Sequence, residues 1–138
     1  MASTHQRFKY LLILEKRMAV TSIMTTGAEI TSKEGANVSA SLTDAMHDAW
    51  VLQAESFVNC FARDNFSDAV TAGLNADVKG IFSDIVSSMV AIQGIMYDMS
   101  GYTSRAEAED MINILRDGIL RNLGVLRDKK NQKFINDA

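Results

Sequence analysis

Between Val78 and Met99 the apolar residues Val78, Phe82, Ile85, Met89, Ile92, Met96 and Met99 follow one another in alternating steps of four and three. Such spacing keeps side chains on one face of a helix, so the stretch predicts a helix over 76–100 whose seam packs along another helix. A second row, Ile81, Ser88, Ile95 and Tyr102, runs beside it, and Ser83, Ser87 and Ala91 form a small-residue groove. Only Asp77, Asp84 and Asp98 mark a polar stripe, so this helix is expected to be enclosed on several sides.

The rest of the chain agrees with an all-helical fold. It contains no proline, so nothing of that kind breaks a helix interior. A first helix is expected over 4–26, where Leu11, Leu14, Met18, Thr21 and Thr25 recur at helical spacing and Gly27 closes it. The Ser-, Thr- and Gly-rich stretch 27–41 reads as an ordered loop or a short hairpin, with Gly35 supplying a positive φ. A second helix, over 42–66, opens with Ser41 and Asp44 and carries Met46, Trp50, Phe57 and Phe61 on one face. It fades between 65 and 73 in a kink or an extra turn.

Asn75 caps the Met-rich helix and Gly101 stops it. A last helix, over 105–130, opens with the capping box Ser104 and Glu107 and turns Ala108, Ile112, Leu115, Ile119 and Leu126 inward. Asn122 lies either in this seam, where a polar residue sets register, or at its margin with Leu123 inward. The expected fold is therefore a single domain over 1–138, an antiparallel four-helix bundle.

Composition narrows the function. A net charge of -3 disfavours nucleic acid as a partner. A local phosphate or acidic-partner contact is expected only in the tail, at Arg127, Lys129, Lys130 and Lys133. The single cysteine excludes an intrachain disulfide. Within its helix Cys60 reads as a small buried hydrophobe. The apolar run Tyr10–Leu14 is too short for a secretory signal, which points to a cytoplasmic or particle-assembled location.

No catalytic constellation or cofactor motif stands out, and no cofactor is expected. Asp44, His47 and Asp48 cluster on the second helix without an evident third metal ligand, so His47 reads as a solvated surface residue. Met89, Met96 and Met99 lack a nearby His or Cys to hold copper. Gly118 and Gly124 inside the last helix are costly at about 1 kcal/mol each and point to a close helix crossing.

The expected function is a non-enzymatic assembly protein that forms homo-oligomers and joins other protein subunits, in the manner of a small component of a viral particle or secretion apparatus. Its interface residues are Val78, Phe82, Ile85, Met89, Ile92, Met96, Met99 and Asn122. Two alternatives remain. One is a membrane-active protein inserting through 78–99, where Gly80–Tyr97 carries only Asp84 as a charge. The other is a small metal- or ligand-binding helical enzyme.

Overall fold

The computed structural model describes residues 20–138, and among these every regular element is helical. Six α-helices follow in chain order: α1 Gly27–Glu34, α2 Asp44–Ala62, α3 Phe66–Gly73, α4 Ala76–Tyr97, α5 Arg105–Leu126 and α6 Lys129–Asp137. A 3-10 turn, Met99–Gly101, joins α4 to α5.

The expected loop or hairpin at 27–41 is replaced in its first half by α1. Thr26 caps it by accepting from the Glu29 N–H, with Glu29 in the first turn and Lys33 in the last. Gly27 therefore opens a helix instead of closing one. Gly35 does take a positive φ, 82°, but in ending α1. An eight-residue helix is marginal alone and persists here because Ile30 and Thr31 are buried against the rest of the fold.

The expected first helix, 4–26, lies largely outside the described residues. Its last part, Val20–Thr26, is not helical. Two carboxylates of α2 hold this segment: Asp48 accepts from the Thr21 N–H at 2.7 Å, and Glu55 accepts from the Ile23 and Met24 N–H groups at 2.8 and 2.6 Å. Backbone donors satisfied by side chains in this way do not need a helix.

Helix α2 is capped by Thr43, not Ser41, and ends at Arg63, which adopts the left-handed conformation. Asn59 then accepts from the Phe66 and Ser67 N–H groups and fixes the turn into α3. Asn75 caps α4 and Ser104 caps α5, each accepting from an N–H of the first turn, as their sequence signatures require.

Helix α4 is central and packs against α1, α2 and α5. Asp84 meets Asn122, whereas Ile95 clusters with Ala108, so α4 and α5 run in opposite directions. The main core joins Val51, Ala54 and Val58 of α2, Phe82, Ile85, Val86 and Val90 of α4, and Ile119, Leu123 and Leu126 of α5. Phe66 packs on Phe82 with ring centroids 4.7 Å apart and the rings tilted by 36°, and closes that core at one end.

Candidate interaction surface

Two polar clusters fix α1 onto α4, and both are engaged internally. In the first, Lys33 donates to the Asp84 carboxylate, to the Asp84 carbonyl at 3.0 Å and to the Ser88 hydroxyl at 2.7 Å, while Asn122 donates to the other Asp84 oxygen. Burial alone would raise Asp84. The Lys33 and Asn122 hydrogen bonds, with the Lys33 and Arg121 charges, outweigh it and hold the carboxyl below its ordinary range. Asp84 interrupts the apolar helix because it anchors both neighbours. Asn122 is accordingly at the margin of α5, with Leu123 the buried residue.

The second cluster corrects the reading of His47, which is fully buried and not solvated. Its Nδ1 faces the Thr43 carbonyl at 3.1 Å and, since a carbonyl only accepts, carries hydrogen. Its Nε2 meets Oε1 of Glu34, also fully buried, at 2.7 Å. Trp50 packs edge-on against the imidazole. The Tyr102 hydroxyl donates to the Glu34 carbonyl at 2.8 Å, and burial, with Glu34 and Glu107 adding to it, pushes the phenol above its ordinary value. Glu34 lies flat on Gly94, where a Cβ would come within 2.8 Å of the carboxyl carbon. Sequence spacing did not pair residues 34 and 47, because α1 itself was not foreseen.

These clusters offer no evident chemistry. The Lys33–Asp84 pair floors a cleft of about 490 Å³ between α1, α4 and α5, but its polar atoms are partnered. Among the described residues no group of three or more His, Cys, Asp or Glu is placed to hold a metal. Cys60 is exposed, contrary to its expected burial. Gly118 and Gly124 mark no close crossing, since a Cβ at either would meet nothing within 4 Å. The tight glycines are Gly94 and Gly101, the latter against the Asn37 carbonyl.

What remains open is apolar. Of the expected interface, Phe82 and Ile85 are closed into the chain's own core, Val78, Met89, Ile92 and Met99 are half-buried, and Met96 is 53% exposed. At about 100° per residue, Asp84, Ser87 and Gly94 mark the side of α4 that meets α1, and Val78, Met89, Ile92 and Met96 fall opposite them. Phe82 and Ile85 fall on the same arc and are fully buried, so it is closed at those positions and open at Met96.

Helix α2 shows the same division. Its core line is His47, Val51, Ala54, Glu55, Val58 and Ala62, one step round from the expected face. The expected face, Met46, Trp50, Phe57 and Phe61, is left on the flank away from Asp48 and Glu55. Phe57 is 43% exposed there and stacks on Phe61. Leu120 of α5 is 59% exposed. By helical phase it lies on the flank of α5 away from Gly118, which lines the α1-side cleft. The apolar trough on the face of α4 opposite α1 is thus closed at Phe82 and Ile85 and open at Met96.

In the tail, α5 breaks at Arg127 and Asp128, and α6 continues. Lys129 is committed to the end of α2, donating to the Ala62 carbonyl at 2.7 Å. Arg127, Lys130 and Lys133 are exposed, and Phe134 beside them is 67% exposed. Comparison with protein-family models, with curated proteins and with solved structures finds no match to this chain.

Proposed function

We propose that this chain is a non-enzymatic helical assembly subunit, an antiparallel bundle whose fourth helical position is the trough opposite α1, occupied by the same face of a second copy. The observation that carries this reading is the divided seam of α4. Phe82 and Ile85 are buried internally, Val78, Met89 and Ile92 are half-buried, and Met96, on the same heptad spacing, is 53% exposed. A heptad seam is complementary to another heptad seam, and Met and aromatic side chains adapt well to such contacts. The trough is also contiguous with the core, since Trp50, Phe61, Met89 and Ile92 all pack against it.

Size-exclusion chromatography with light scattering tests the proposal. The wild-type chain is expected at twice its 15.2 kDa mass or more at micromolar concentration. Phe57→Asp and Met96→Asp, at exposed positions, should each give monomers with unchanged helicity. A wild-type chain that stays monomeric refutes it. Ala76–Tyr97 is long and apolar enough to cross a membrane by length and composition. Co-flotation of the chain with liposomes would therefore favour insertion over assembly.

A further inference from the structure

The buried pair of Glu34 and His47 carries a proton requirement that packing alone does not explain. Both side chains are fully enclosed, and Nδ1 of the imidazole holds its hydrogen toward the Thr43 carbonyl. Without a further proton, Nε2 would turn a lone pair on a carboxylate oxygen 2.7 Å away, two acceptors in contact. The contact therefore requires one proton between Nε2 and Oε1, held by the imidazole or by the carboxyl. In either form the pair has no net charge.

Both neighbouring charge states are disfavoured in this site. Removing the proton leaves a buried carboxylate whose second oxygen, Oε2, has no donor among the described residues. Adding one leaves a buried cation. An enclosed charge without a partner is costly, so the closed pair keeps its single shared proton. The surroundings do not replace it. Helix α4 presents only Gly94 to the Glu34 carboxyl, and Lys33, Asp48 and Asp98 are turned to Asp84, Thr21 and Ser100. Tyr102, whose phenol is pushed above its ordinary value, donates to the Glu34 carbonyl. The acids on this side, Asp44 one turn ahead of His47 and Glu107 near Tyr102, favour holding a proton over losing it.

We infer that Glu34 and His47 form a proton-gated latch, which holds α1 on α2 and α4 and releases it as pH rises above about 6.5. In water a glutamate is ionised above about pH 4.3, and a histidine gives up its charge above about pH 6.5. Between these values the separated groups also hold one shared proton's worth, and closing exchanges none with solvent. Above about pH 6.5 the separated groups hold none, so closing takes a proton up and weakens by up to about tenfold per pH unit. An eight-residue helix has little stability of its own, whereas α2, α4 and α5 keep a shared core without it. Release bares Ser87, Ala91 and Gly94 of α4, all buried in the closed form. That strip lies opposite the trough, so the latch does not depend on the assembly reading.

Hydrogen exchange of the full chain, read as protection factors for the α1 amides between pH 5.5 and 8.5, tests the latch. Wild-type protection should be level to about pH 6.5 and fall about tenfold between pH 7.5 and 8.5. Glu34→Gln keeps the shape, and its amide donates to a bare Nε2, so the closed pair needs no further proton. The opened histidine still takes one up below about pH 6.5. The dependence should therefore invert in this variant, level above about pH 6.5 and falling on acidification. Wild-type protection that stays level throughout, or an alkaline fall that persists in Glu34→Gln, overturns the inference. Should the variant fail to fold, the wild-type His47 ring resonance decides: a constant Cε1–H shift from pH 5.5 to 7.5 supports the latch, and a titration centred near pH 6.5 overturns it.

Discussion

Replacing Gly94 by alanine should destabilise the protein, against the usual effect of that change in a helix. Gly94 lies in the interior of α4, where glycine is about 1 kcal/mol worse than alanine, so intrinsic propensity predicts a gain. The structure reverses the sign. An added Cβ would sit 2.8 Å from the Glu34 carboxyl carbon and 3.0 and 3.1 Å from its oxygens. A terminal carboxyl on the surface would swing aside cheaply. Glu34 is fully buried, bound to His47 at 2.7 Å, and its other oxygen has no partner among the described residues to compensate a move.

Either α1 lifts from α4, or the carboxyl turns away and leaves His47 buried without it. Overpacking of this kind costs about 1–3 kcal/mol, and breaking a buried polar pair up to about 3–5 kcal/mol. Set against the propensity gain, a net loss of about 1–3 kcal/mol is expected. Denaturant titrations of Gly94→Ala, Glu34→Ala and the double variant measure the coupling. In the Glu34→Ala background the clash is gone, and Gly94→Ala should become neutral or stabilising. Gly118→Ala and Gly124→Ala serve as controls, since nothing lies within 4 Å of either added Cβ, and each should stabilise by up to about 1 kcal/mol. A neutral Gly94→Ala in the wild-type background, or equal effects at all three glycines, would refute the reasoning.

Glu55→Ala removes the acceptor for two backbone N–H groups and should cost about 2–3 kcal/mol, with hydrogen exchange at Ile23 and Met24 accelerating before the core opens. Asp84 is held below its ordinary value, so its contribution is present above about pH 4 and is lost as pH falls through the lower folded value. Asp84→Asn should therefore flatten the acid limb of a stability–pH profile below about pH 4; an unchanged limb would show that the Lys33 and Asn122 contacts do not hold in solution.

Much of the fold was legible because helical periodicity and caps are local. Asn75 and Ser104 cap helices as their side chains require, and the spacing from Val78 to Met96 identified a helix enclosed on several sides. Phase was less legible. Met46, Trp50, Phe57 and Phe61 form a genuine face of α2, but the core takes the line through His47 and Glu55, because each polar side chain found a buried partner. A sequence offers no measure of which of two adjacent faces a neighbour will cover.

The sequence by itself determined the helical class, the enclosure of the Met-rich helix and several of the caps, since each follows from residues within a few turns of one another. Only the tertiary structure decided that α1 forms at all, that His47 and Cys60 exchange their expected environments, and that the seam of α4 divides between core and surface. Those outcomes rest on contacts between segments far apart in the chain, Glu34 with His47, Lys33 with Asp84 and Glu55 with Met24, whose free energy no local pattern carries.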